Sequence, residues 1–124
     1  MALRLSTGLR NMLLGTASFK TIMQNGVIRI FPGVQPASAD DGEGATPLLE
    51  ITVSSGAFTP GTATNGLNFA APAAGACAKS TGEVWSGAAT TSGTAGWFRF
   101  YAKRRIVFQY GLAEFKIVNI YSIF

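Results

Sequence analysis

Residues 92–105 read SGTAGWFRFYAKRR, and this stretch decides the fold that the sequence predicts. A run of small residues leads into a dense aromatic segment, which then gives way to a basic cluster. Because side chains alternate between the two faces of a strand, the aromatic residues of this segment fall on both faces. One face receives Phe98, Phe100 and Ala102, and the other receives Trp97, Arg99 and Tyr101.

Further strand signals lie upstream of this segment, with turn residues between them. Val27 to Phe31 (VIRIF) is β-branched and alternating, and it ends at Pro32-Gly33. Residues 47–55 (PLLEITVSS) alternate in the same way, with Leu49 and Ile51 on one face. Turns at such short intervals are typical of all-β proteins. The sequence therefore predicts a mainly β, single-domain β-sandwich or jelly-roll-like fold with a short N-terminal helical segment.

The residues just before the opening stretch predict its partner strand. Val84 and Trp85 form one arm of a hairpin, and residues 97–102 form the other. We expect Trp85, Phe98 and Phe100 to lie in the core. The opposite face, which carries an arginine between two amphipathic rings, has the composition of a protein contact surface.

The two ends of the chain differ from its middle. Apolar residues at three- and four-residue spacing predict two short helices in an N-terminal arm, residues 1–25, with Ser6 or Thr7 capping the first helix and Ser18 the second. A β core spans residues 26–102. Residues 103–124 hold 4 of the 10 Lys and Arg residues and predict C-terminal strands linked near Gly111. Strands as apolar as these must be paired, covered or shared with a neighbouring subunit.

Composition limits the chemistry that this protein performs. The 124 residues are 48% hydrophobic and 13% charged, against roughly 25% charged in typical soluble domains. There is no histidine, the one cysteine is Cys77, and the 6 carboxylates are scattered. The acidic stretch DDGEG, residues 40–44, lacks the ligand spacing of a calcium loop. The sequence therefore predicts a protein without enzymatic activity, metal, cofactor or small-molecule substrate.

The basic cluster after the aromatic segment points to a macromolecular partner. The formal charge is +4, and no continuous apolar run is long enough to span a membrane. Rings interleaved with cations also suit single-stranded nucleic acid, but GTAGWFRF carries no RNP pattern. We therefore predict a protein interface rather than a nucleic-acid or membrane site. Its residues are Trp97, Arg99, Tyr101, Lys103, Arg104 and Arg105.

Four segments in this order resemble a family of small tailed-bacteriophage virion structural proteins. They are LSTGLRNMLLG (5–15), NGVIRIFPGVQPASAD (25–40), TNGLNFAAPAAG (64–75) and WSGAATTSGTAGWFRFYA (85–102). The resemblance covers roughly residues 3–102. Relatives of this kind continue after GWFRFY with a longer Gly-, Ser- and Thr-rich segment, whereas this chain turns to AKRRIVFQYG. A shifted reading frame or a divergent lineage accounts for that change.

The resemblance implies a β-rich capsid decoration or cement protein. Such a protein is assembled in the bacterial host cytoplasm, lies on the capsid surface of the virion, binds the major capsid protein and forms a homo-oligomer. The alternative is a tail or head-to-tail structural protein, including an adhesin in which Trp97 or Tyr101 stacks on a sugar ring. A nucleic-acid-binding module that uses residues 103–105 is a third reading.

Overall fold

One antiparallel sheet preceded by short helices forms the part of the chain that the structure describes. The computed structural model describes residues 3–15, 17–59, 62–102 and 105–117, the last of these as backbone only. The elements in chain order are β1 (Leu3–Leu5), α1 (Thr7–Gly15), α2 (Phe19–Ile22), β2 (Gly26–Pro32), β3 (Leu49–Val53), β4 (Trp85–Ser86), β5 (Gly93–Ala102) and β6 (Arg105–Ile117).

The strands lie in the order β1-β6-β5-β2-β3-β4, and each neighbouring pair is antiparallel. The four longer strands form the body of the sheet, and the short strands β1 and β4 lie at its edges. The prediction of a mainly β protein with N-terminal helices is confirmed. The sheet is not closed into a barrel, and the described residues contain no second sheet.

Register places the apolar residues of three strands on one face, which we call the core face. Phe100 lies opposite Ile28, and Ile28 lies opposite Ile51 of β3. The next rung on this face is formed by Phe98, Ile30 and Leu49. Phe100 is buried, Phe98 packs against the same cluster, and Trp85 joins it. The predicted alternation of β5 and the predicted core residues are therefore confirmed.

Local hydrogen bonds define the starts of both helices. The Ser6 side chain accepts a hydrogen bond from the Leu9 backbone N–H at 3.0 Å, and the Ser18 side chain accepts one from Thr21 at 3.3 Å. These are N-cap contacts, which satisfy backbone donors that have no partner within the helix. The predicted helices and caps are confirmed. The helices cover the core face, which Leu9, Ile22 and Met23 help to fill.

The N-terminal arm differs from the prediction in one respect, because a strand precedes the helices. Strand β1 pairs with β6, with Leu3 opposite Tyr110 and Leu5 opposite Phe108. The alternating sequence Leu3-Arg4-Leu5 suits an edge strand, with Arg4 on the face opposite its leucines. The arm therefore contributes to the sheet as well as to the helices.

The predicted hairpin of residues 84–102 is wrong. Strand β4 pairs with β3, with Val53 opposite Trp85, and β5 lies between β2 and β6. The ten residues of β5 form long ladders with β2 and β6, whereas β4 contains only two residues that could pair. The longer ladders satisfy more backbone groups, which outweighs proximity along the chain.

The C-terminal strands are also joined differently from the prediction. Residues 105–117 form one strand, and Gly111 lies inside it opposite Trp97 rather than in a turn. A register shift between Ala95 and Trp97 absorbs the extra residues of β6. Because β5 is continuous through this region, it supports a single ladder on both sides of Gly111.

Gly96 provides a test of how the sheet meets the loop that follows β2. A Cβ atom added at Gly96 would overlap the backbone carbonyl of Gly33, so one backbone segment would have to move. We expect Gly96→Ala to lower the free energy of unfolding by about 1–3 kcal/mol, as overpacking does. Urea denaturation measures the change.

Gly42→Ala is the matched control, because a Cβ atom at Gly42 meets nothing within 4 Å. Its effect should stay within about 0.5 kcal/mol, as for most surface substitutions. Equal unfolding midpoints for the two variants would show that Gly33 and Gly96 do not approach each other in solution.

Candidate interaction surface

The face opposite the core face carries the residues that the sequence singled out. On β2 and β5 it presents three cross-strand pairs: Val27 with Tyr101, Arg29 with Arg99, and Phe31 with Trp97. We call this set of six residues the arginine face. Two arginines directly opposite each other repel, so the face requires nearby anionic groups to be stable.

The arginine pair belongs to a polar rung that crosses five strands. Arg29 lies opposite Glu50 of β3, and on the other side Arg99 lies opposite Gln109 of β6. Gln109 in turn lies opposite Arg4 of β1. The rung therefore holds three arginines and only one carboxylate, and the other anionic partners must come from outside the sheet.

The loop between β2 and β3 supplies them. This loop, residues 33–48, contains Asp40, Asp41 and Glu43, and we call it the acidic loop. The Nη1 atom of Arg29 lies 3.3 Å from Glu43 Oε1, and its Nε donates to Glu50 Oε2 at 2.7 Å. The Tyr101 hydroxyl also donates a hydrogen bond to Glu43. Glu43 thus fastens the loop to two strands at once.

The acidic loop is also attached to the N-terminal arm. Arg4 Nη1 donates to the Ala37 carbonyl at 2.6 Å. The Thr7 side chain donates to Asp40 Oδ2 at 2.7 Å, and the Thr7 backbone N–H lies 3.1 Å from both carboxylate oxygens. These hydrogen bonds from Thr7, with the charges of Arg10 and Arg99, lower the pKa of Asp40. One loop therefore joins the sheet to the start of α1.

Aromatic rings complete the packing of the arginine face. Phe31 and Trp97 stack with centroids 4.3 Å apart and an interplanar angle of 13°. The guanidinium carbon of Arg99 lies 5.1 Å from the Trp97 ring, and that of Arg29 lies 5.1 Å from the Tyr101 ring. Both distances are within the range of cation–π attraction. The rings thus contribute to holding the like charges in place.

Two ionisable groups of this face have shifted pKa values. Burial acts to lower the pKa of Arg29, but the hydrogen bond and charge of Glu50, aided by Glu43, outweigh it and raise that pKa. Burial, with the hydrogen bond to Glu43, raises the pKa of Tyr101 to about 12, although Arg99 acts in the opposite direction. Both shifts favour the protonated forms, which are the charged guanidinium of Arg29 and the neutral phenol of Tyr101.

The predicted interface residues lie in different environments. Trp97 is 1% exposed and Arg99 is 0% exposed, so both side chains are buried within one chain, and their predicted interface role stays a prediction. The strand alternation was read correctly, but the acidic loop folds back on this face. Tyr101 is half-buried beside them. Lys103 and Arg104 lie outside the described residues, and Arg105 begins β6 opposite Ala102, where only the backbone is described.

Large apolar side chains are also exposed at positions that the sequence did not single out. Among the described residues seven large apolar side chains are exposed, and five of them lie in the first 19 residues. We call these five the apolar arm: Leu3, Leu5, Leu13, Leu14 and Phe19. The exposure of Leu14 is predictable from the sequence, because Leu14 lies outside the helical stripe formed by Leu9, Met12 and Leu13. Leu9 and Met12 of this stripe pack in or against the core cluster.

A metal site formed by three or more ligands and a membrane-spanning helix are both absent from the described residues. These residues contain no group of three or more His, Cys, Asp or Glu side chains that could hold a metal ion. Within the same ranges, every helix is too short or too polar to cross a membrane. Cys77 is partly buried, and its sulfur lies 3.6 Å from the Ala70 carbonyl oxygen.

Comparisons of this chain with protein-family models, with curated proteins and with solved structures find no match. The resemblance to a bacteriophage family therefore stays a prediction. The surfaces described above provide the structural basis for a functional proposal.

Titration of Tyr101 tests the contact between the acidic loop and the sheet. Ordinary tyrosines titrate near pH 10, so the folded protein should show one phenol with a pKa of about 12. The Tyr101→Phe variant lacks this phenol. The difference in tyrosinate absorbance at 295 nm between the wild type and the variant therefore reports the titration of Tyr101. Because folding raises this pKa, the stability from Tyr101 is intact below pH 10 and is lost as the pH rises through 12.

Unfolded protein in urea serves as the control, and there the same difference should have a midpoint near pH 10. A midpoint near 10 in the folded protein as well would mean that the Tyr101 hydroxyl is not held against Glu43.

Proposed function

We propose that this chain is a non-enzymatic structural protein of a tailed-bacteriophage virion, and that it acts as a capsid decoration or cement protein. In this role it lies on the capsid surface, after assembly in the host cytoplasm, and bridges major capsid subunits. The four ordered segments between residues 5 and 102 that resemble such a family support this setting.

The observation that carries the proposal is the apolar arm. Apolar side chains scattered singly over a surface need no explanation, whereas a concentration of them marks a contact site. Leu14, for example, is 86% exposed, although Leu9 of the same helix lies in the core. Burying one such leucine contributes roughly 1.5–3 kcal/mol. Repetition of the contact around a shell raises the overall affinity further.

The carboxylates that contact the arginine face support a structural rather than a catalytic role. Glu43 and Glu50 are both bonded to Arg29, and Glu43 also accepts from Tyr101. A general acid or base must reach a substrate, and its pKa must lie near the working pH. Carboxylates that are bonded to Arg29 and Tyr101 in this way stabilise the acidic loop instead.

The same geometry argues against one form of the alternative function. An adhesin that binds sugar through Trp97 needs an open ring, yet that ring is stacked on Phe31 and buried. A tail or head-to-tail structural role would use the apolar arm in the same way as a capsid role. The particle itself distinguishes these locations.

The sandwich or jelly-roll arrangement remains part of the proposal. It requires a second sheet packed on the first, and the described residues supply one sheet whose two faces meet helices and the acidic loop.

Reconstitution on capsids tests the proposal and the surface together. Capsids prepared without this protein are incubated with the purified chain, and cryo-EM then gives its location and copy number. We expect many copies on the outer shell, each touching more than one capsid subunit. A few copies at the tail or portal vertex would instead support the tail role, and absence from the particle would contradict both.

Leu14→Ser is the test variant, and Val34→Ser, which is 93% exposed on the acidic loop, is its control. Neither exposed side chain contributes much to folding, so both variants should keep the stability of the wild type. We expect Leu14→Ser to weaken capsid binding about tenfold, since 1.4 kcal/mol corresponds to a factor of ten. Equal binding by the two variants would exclude the apolar arm as the contact surface.

A further inference from the structure

The C-terminal strand leaves one of its edges open. On its inner edge strand β6 pairs with β5 at residues 105–106, 108–111 and 115–117. On its outer edge β1 pairs with positions 108–110. Among the described strands, none pairs with the outer edge of residues 111–117. An open edge of this length carries unpaired backbone donors and acceptors and can bind another strand.

Residues 113–117, Ala-Glu-Phe-Lys-Ile, suit such pairing. They alternate between apolar and charged residues and contain no proline. On the inner edge Phe115 lies opposite Ala95, which is buried, and Lys116 lies opposite Thr94, which is exposed. At these two positions the alternation matches a sheet with one covered face and one open face, and an added strand must have the same alternation to fit.

The charges of this segment specify both the partner and the register. If two copies pair antiparallel about a two-fold axis at Phe115, Glu114 of each copy lies opposite Lys116 of the other. A twofold axis at Glu114 or at Lys116 would place like charges opposite each other, which is destabilising. The segment is thus complementary to itself in one register, as a symmetric interface requires.

We propose that two copies of this chain associate by pairing residues 113–117 of β6, antiparallel about a two-fold axis at Phe115. The pairing begins beyond the positions where β1 binds, so β1 keeps its place. It extends each sheet into its neighbour. This inference names the interface of the homo-oligomer in the proposed function, and the experiments below separate the two.

Disulfide trapping tests the register in the full chain. Cys77→Ala removes the native thiol, and Phe115→Cys then places one thiol on the proposed axis. Residues directly opposite in an antiparallel pair have Cα atoms about 4.5–5.5 Å apart, which a disulfide can bridge. We expect a disulfide-linked dimer to be the main product of mild oxidation.

Ile117→Cys in the same background is the matched control. In the proposed register residue 117 lies opposite residue 113 of the other copy, and the two residues 117 are about 13 Å apart. We expect at least tenfold less crosslinked dimer. Equal yields for positions 115 and 117, or a higher yield for 117, would overturn the register.

Charge exchange provides a second test that does not depend on oxidation. Glu114→Lys and Lys116→Glu each place like charges opposite each other and should raise the dimer Kd at least threefold. The double variant restores opposite charges and should return the Kd to within twofold of the wild-type value. Analytical ultracentrifugation measures the Kd, and circular dichroism checks that each variant is folded.

The outcomes separate the pairing from the capsid role. A wild-type chain that is monomeric at all concentrations, or a double variant no better than the single ones, overturns the pairing. If such a chain still binds capsids, the proposed function stands without this interface. If the dimer forms but never occupies the particle, the proposed function fails and the pairing remains.

Discussion

Two arginines that face each other across the central strands constrain much of this structure. Arg29 and Arg99 lie in direct register on a covered face, where water screens their repulsion less than at an open surface. One carboxylate, Glu50, comes from the sheet, and Glu43 must come from elsewhere. The acidic loop therefore has to fold back over the sheet, and its composition follows from the charges beneath it.

The same constraint links the sheet to the N-terminal arm. The acidic loop, once fastened by Glu43, brings Asp40 to the start of α1, where it accepts hydrogen bonds from Thr7. Helix α1 is thereby fixed at its first turn, while its buried face contributes Leu9 to the core. Leu14, further along the helix, remains outside this packing. The loop that balances the arginine charges thus also helps to fix the position of α1. In this position of the helix Leu14 is exposed.

Sequence patterns predicted what depends on neighbouring residues, and failed where distant segments meet. The alternation of β5 and the caps at Ser6 and Ser18 are local and were correct. The partner of Trp85 was wrong, because strand pairing depends on the lengths of ladders distributed over the whole chain. The burial of Trp97 and Arg99 was missed because it depends on the register of Arg29, which no local pattern encodes.

Part of the apolar arm lies at the same edge of the sheet as the proposed pairing segment. Strand β4 forms one edge, and at the other edge lie β6 and β1, with α1 packed against β6. Strand β1, which carries Leu3 and Leu5 of the apolar arm, and the open edge of residues 113–117 both belong to that second edge. The arginine face, which the acidic loop covers, lies between the two edges, and its contacts with Glu43 and Glu50 form within one chain. Association therefore needs no rearrangement of the charged centre, because the surfaces that remain available are apolar or self-complementary.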